Sequence, residues 1–205
     1  LTVSCTPGFA SSWLCPKVGR FREACPDVEL RIVTPRRLED VSTPEVDLFI
    51  SFSAGNHPGM QVELLQEVEF TPLCSPALMN RLNLSKPADA LRAGLMHLSD
   101  FEDWQSWFRL AGLDEARART GLVFSDMNLV YSACLASQGI AMGDQFICYE
   151  AMSSGQLVRP FDLSIRSPRS YFLVVPGGPA FKPVVSAFRD WLLNALPRPQ
   201  PSSAN

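Results

Sequence analysis

The sequence predicts an α/β protein built as two Rossmann-like lobes around a central cleft. Three observations predict it. Leu1–Val33 reads as strand, small-residue loop, helix and second strand, and this unit recurs late in the chain. Strands alternate with helices from the start to about residue 70 and again from about 95 to 155, and a last strand and helix close the chain. Such alternation argues for parallel sheets covered by helices on both faces. Stiff or extended connections near Thr71–Pro72 and Ile165–Ser170 divide the pattern. The division assigns 1–71 and 170–196 to lobe I and 72–169 to lobe II, with 197–205 a disordered Pro/Ser-rich tail.

In order, Leu1–Cys5 is short, apolar and β-prone, and Thr6-Pro7-Gly8 breaks it. Phe9, Trp13, Leu14, Val18, Phe21 and Cys25 then follow one face of a helix, which Pro26-Asp27 stops. Val28, Leu30 and Ile32 alternate as in a strand. A short helix or loop is expected over Pro35–Asp40, with Arg36-Arg37 as a solvated pair. Val46–Phe52 is a buried strand running into the loop Ser53–Gly59, and Val62–Phe70 is another. The second half gives helices at Ala77–Leu82, Asp103–Leu110, Met127–Ser137 and Gln145–Ser153. Strands fall at Gly94–Leu98, Gly121–Phe124 and Ile140–Gly143, with Gly139 ending the helix before the last of these. Leu157–Phe161 is extended, Ser170–Val175 is a strong strand, and Ala180–Leu196 is an amphipathic helix beginning with Phe181 and Val184.

Composition narrows the function. The chain has 205 residues, 46% hydrophobic and 19% charged, which suits a sizeable core. A net charge of −3 gives no basic surface for nucleic acid on this chain. No apolar run reaches the roughly 20 residues of a membrane span. No charged leader precedes the first strand, and the chain opens directly in that strand without an initiator Met, so it reads as a fragment of a longer protein. The six cysteines form no CxxC. Cys15 and Cys25 would lie about 15 Å apart on one helix, too far for a disulfide, so the thiols read as reduced core residues in a cytoplasm. Cys5, beside the first loop, is the one candidate sensor thiol. His57 and His97 have no Cys or Glu at ligand spacing, so no metal is expected, and no cofactor motif occurs. No nucleophile elbow, P-loop or His–nucleophile pair points to an enzyme.

Several local patterns occur in an order and spacing that resemble one family. They are Phe9-Ala10-Ser11-Ser12-Trp13-Leu14-Cys15-Pro16-Lys17-Val18, Phe21-Arg22, Pro26-Asp27-Val28-Glu29-Leu30 and Val46-Asp47-Leu48-Phe49-Ile50. Ala133 through Gly139-Ile140-Ala141-Met142, Leu157–Phe161, Tyr171–Val174 and Pro183–Leu192 follow. Together they resemble the effector-binding domain of LysR-type transcriptional regulators, in the glycine-cleavage-activator-like branch, over about Leu1 to Leu196. The resemblance implies a type 2 periplasmic-binding-protein-like fold and a small-molecule effector between the lobes, a carboxylate being the favoured class. It also implies self-association as a dimer or tetramer. Promoter DNA would be contacted only through an N-terminal winged helix-turn-helix absent from this sequence. No membrane contact is implied. The alternative on the same fold is a periplasmic-type solute-binding protein of a transport system.

The candidate effector contacts follow from loops at strand ends, where open α/β sheets bind ligands. In the first loop they are Thr6, Gly8, Phe9 and Ser11, whose backbone N–H groups and hydroxyls suit an anion. Ser51, Phe52 and Ser53 end a strand of lobe I. Ser99, Ser125, Met127 and Asn128 end strands of lobe II, and Tyr171 reaches in from the second crossover. Asp126 is expected as a helix N-cap rather than a contact. Trp104, Trp107 and Phe108, at i, i+3 and i+4, are expected as a core face and not as an aromatic box.

Overall fold

A computed structural model describes residues 1–35, 41, 44–177 and 182–196. The expectations for residues 36–40, for Ala180 and Phe181, and for the tail Pro197–Asn205 lie outside the described residues. The chain forms two compact units, Leu1–Glu67 with the chain from Pro168 on, and Val68–Ser167.

Unit 1 opens with β1 (Thr2–Cys5), a single turn of helix α1 (Pro7–Phe9), a π-helical turn (Ala10–Leu14), α2 (Val18–Ala24), β2 (Arg31–Val33) and β3 (Leu48–Ser53). Strand β4 (Met60–Leu73) leaves this unit, and β8 (Ile165–Pro176) returns to it before α8 (Pro183–Ala195). The strands β2, β1 and β3 are parallel, with Val3 opposite Ile32 and Leu48. Strand β8 pairs antiparallel with β3, Phe52 opposite Tyr171.

Unit 2 holds α3 (Pro76–Leu82), α4 (Ala90–Ala93), β5 (Leu95–Leu98), α5 (Glu102–Leu110), β6 (Leu122–Phe124), α6 (Met127–Leu135), β7 (Ile140–Asp144) and α7 (Tyr149–Ser153). Here β5 pairs parallel with β6 and β7, and β4 pairs antiparallel with β7. The strand pairing in each unit is therefore mixed, not purely parallel. In each unit the antiparallel neighbour comes from a distant part of the chain.

Four expectations change. The helix expected from Phe9 to Cys25 is broken at Cys15–Lys17, because the π turn adds a residue and shifts the register of its apolar face. Only Arg31–Val33 of the expected Val28–Val33 strand enters the sheet. Thr71 and Pro72, expected as a connection, lie inside β4 opposite Gly143 and Met142. The turn after α6 is made by Ser137, at φ 61°, rather than by Gly139. Gly139 instead allows a close approach of two backbones, since a side chain there would meet the Gly94 carbonyl at 2.4 Å.

Both cores are aromatic. In unit 1, Phe21 packs on Phe188 at 5.1 Å and Trp13 on Trp191 at 6.3 Å between ring centroids, which fixes α2 and the π turn before it against α8. Arg189 on α8 grips both carboxylate oxygens of Glu63 on β4, at 2.7 and 2.9 Å. In unit 2, Trp104, Trp107 and Phe108 are fully buried and form a core face, as their spacing predicts. All six cysteines are free thiols. Cys5 is fully buried, and burial pushes its thiol up to about 12, so it lacks the thiolate a sensor needs.

Candidate functional site

The first loop is built by capping. Thr6 is the N-cap of α1, and its hydroxyl accepts the Phe9 N–H at 3.3 Å. Pro7 has no N–H to offer, and the Ala10 N–H goes back to the Thr6 carbonyl. The row of free amides expected at this helix start is thus shortened, since the Phe9 and Ala10 amides are spent inside the loop. Gly8 and Phe9 are buried. Ser11 is exposed, and its hydroxyl donates to the Gly8 carbonyl at 3.4 Å.

Strand alternation divides the next group. Phe52 lies opposite Tyr171 with ring centroids 5.0 Å apart, and Phe9 stands 5.2 Å from the same ring. Three candidates from distant parts of the chain therefore meet in one aromatic cluster. Ser51 and Ser53 point to the opposite face, as period 2 requires. There, Ser53 is committed to its own loop: its hydroxyl lies 2.8 Å from His57 Nε2 and accepts the Gly55 N–H. Ser51 is 2% exposed, and its Oγ has no hydrogen-bond partner among the described residues. A buried hydroxyl without a partner loses its hydration for nothing in return, which marks Ser51 as a buried polar group with unused bonding capacity.

In unit 2 the ends of β5 and β6 are tied together, because the Ser99 N–H donates to the Phe124 carbonyl at 2.8 Å. Ser99, at φ 66°, and Ser125 are exposed beside one another's strand ends. Asp126 caps α6, accepting the Asn128 N–H at 2.7 Å, which is the expected capping role. Met127 and Asn128 form the first turn behind it, both partly buried.

His97 was not among the expected contacts. It sits in β5, 2% exposed, with Nε2 2.8 Å from the Thr120 carbonyl and its ring 4.7 Å from Phe101. A carbonyl only accepts, so Nε2 carries the proton and Nδ1 is a lone-pair acceptor. Burial holds the imidazole below its usual pKa, against the raising effects of the Thr120 hydrogen bond and the Asp100 charge. The unfolded chain then binds the proton more readily. Stability should be full above the ordinary histidine value of about 6.5 and should fall as the pH drops below it. Urea unfolding at pH 7.5 and 5.5 checks this: His97→Gln should flatten the loss.

The fold is that of effector-binding domains of the type 2 periplasmic-binding-protein-like class. The LysR substrate binding domain family matches residues 1–197, and the chain belongs to that family. It is 34% identical to the glycine cleavage system transcriptional activator of Escherichia coli (strain K12) over 194 residues, covering 94% of this chain and 64% of the relative. It is 33% identical to the HTH-type transcriptional activator AmpR of Citrobacter koseri over 193 residues, 94% of this chain and 66% of that protein. The chain thus spans about two thirds of these relatives. Among solved structures, the effector domain of the transcriptional regulator AmpR of Pseudomonas aeruginosa matches with a TM-score of 0.82 at 28% identity, covering 95% of this chain and 93% of that one. These relatives are transcription regulators, not components of transport systems.

Proposed function

We propose that this chain is the small-molecule-sensing and oligomerising part of a bacterial LysR-type transcriptional regulator. The family match over residues 1–197 carries the reading. The effector is a small carboxylate, received in unit 1 by the first loop around Gly8 and by Ser51, while the Phe9–Phe52–Tyr171 aromatic cluster packs on the other face of the strand. Ser99, Ser125, Met127 and Asn128 are the strand-end candidates of unit 2 taken by itself, while Thr6, Ser11 and Ser53 hold loop shape in unit 1. Binding favours one arrangement of the self-associated regulator over another, which is how a ligand shifts a population. Promoter DNA is contacted through a separate N-terminal domain, and the regulator works in the cytoplasm. Among the described residues no helix is long and apolar enough to cross a membrane.

Thermal denaturation with a panel of small carboxylates tests the reading. A true effector at 100 times its Kd adds about 2.7 kcal/mol, or roughly 5–10 °C in Tm for a chain of this size. Ser51→Ala should leave the Tm of the unliganded chain unchanged or higher, because it removes an unpartnered hydroxyl, and should cut the ligand-induced rise. A panel without any shift overturns the carboxylate site in unit 1.

A further inference from the structure

We infer that His97 and Asp100 form a proton-operated latch at the turn between β5 and α5, inside unit 2. With His97 neutral, Asp100 caps α5. A proton taken from water at Nδ1 draws the carboxylate off the helix end, and the turn rearranges. The latch goes beyond the effector reading and stands without it. The imidazole has one committed nitrogen, Nε2, whose proton goes to the Thr120 carbonyl at 2.8 Å. Its Nδ1 is buried and has no hydrogen-bond partner among the described residues. His97 and Asp100 line one common space, with room for about one water molecule.

Asp100 is already in use. Phe101, the N-cap of α5, has no side-chain oxygen, and Asp100 Oδ1 takes its place by accepting the Glu102 N–H at 2.9 Å. The turn that carries Asp100 is strained. Ser99 sits at φ 66°, which a non-glycine residue seldom adopts, between N–H bonds of Ser99 to the Phe124 carbonyl and of Asp100 to the Leu98 carbonyl, both 2.8 Å. Loss of the cap therefore lets strain relax. Burial opposes a charge on His97, so the proton needs an anion beside it. Asp100 faces the ring from the turn and Asp103 from α5, while Val130 of α6 and Met142 of β7 line the same space without charge. On Phe101, whose ring stands 4.7 Å from the imidazole, lies the Arg119 guanidinium at 5.7 Å. Arg119 repels the proton, and Asp103 is held by the first turn of its helix. Asp100 is exposed and outside the helix, so it is the anion that can swing.

NMR of ring nitrogens and backbone amides, with this chain titrated from pH 7.5 to 5.0, tests the latch. The expected result is that the Ser99 and Glu102 amide signals move with the midpoint of His97 Nδ1, which lies below about 6.5. Asp100→Asn is the decisive variant. Asparagine still caps a helix but carries no charge. The fold should therefore stay, His97 should take its proton at a lower pH, and the Glu102 amide should no longer follow it. His97→Gln identifies the ring signal and should abolish the amide response. A His97 ring that stays neutral to pH 5.0 overturns the latch. So does a Glu102 amide that ignores ring protonation, or one that still follows it in Asp100→Asn. Simultaneous loss of every amide signal of unit 2 overturns it too, because acid then unfolds the unit instead of moving one turn.

Discussion

Replacing Trp107 by alanine should lower the stability of the chain by about 3–5 kcal/mol, near the upper end of what a single truncation can do. The side chain is fully buried and packs on Trp104, Phe108 and Phe161 with ring centroids 5.5–5.8 Å away. Alanine leaves a cavity walled by three rigid rings, which cannot collapse to fill it. It also removes the indole N–H that the Leu163 carbonyl accepts at 3.0 Å, leaving that carbonyl only the longer bond from the Thr71 hydroxyl at 3.5 Å. Trp107→Phe separates the two losses, since it keeps most of the ring volume and removes the donor. Urea denaturation should place Trp107→Phe between the wild type and Trp107→Ala. Equal midpoints for the two variants would show that the hydrogen bond, not the packing, dominates.

Gly121→Ala should cost about 4 kcal/mol, a size reserved for backbone conflict or severe overpacking. Gly121 adopts φ +114°, and a Cβ there would lie 2.0 Å from the Leu95 carbonyl oxygen. That oxygen belongs to a strand backbone, so it cannot move aside as the end of a flexible side chain does. Gly59 supplies the control. It also has positive φ, +77°, but a side chain there meets nothing within 4 Å. Gly59→Ala should cost only the conformational penalty of about 1–2 kcal/mol. Thermal melts of the two variants therefore separate strain from collision at two glycines of similar φ sign.

Much of this fold is legible in the sequence because burial imposes periods. The i, i+3, i+4 spacing of Trp104, Trp107 and Phe108 can serve only a helix with one face inward, and that helix is α5. The apolar run around Phe49 and Phe52 marks β3 in the same way. Strand ends are harder to read. Strands β4 and β8 extend beyond their apolar stretches, into Met60–Gln61 and Ile165–Arg169, because the pairing of backbone groups demands no particular side chain. The break in the first helix is hidden for a related reason. A π turn keeps the same apolar residues and only changes the angle between them.

The candidate site is less legible than the fold. Strand position shows that Ser51, Phe52 and Ser53 stand near one another, and alternation alone divides them between two faces. What it does not show is which hydroxyl is spent: Ser53 is used by His57 and Gly55, whereas Ser51 is left over, and that difference depends on a loop fold four residues further on. His97 carries less signal still. In sequence it is a lone polar residue in an apolar strand, and its tautomer is set by a carbonyl 23 residues away.

The four tryptophans fall in two pairs, Trp13 with Trp191 in unit 1 and Trp104 with Trp107 in unit 2, with rings 6.3 and 5.5 Å apart. Each unit therefore carries its own built-in chromophore. Converting either pair to phenylalanine leaves an emission signal that belongs to the other unit, so that the melting of each half can be followed optically without attaching any label.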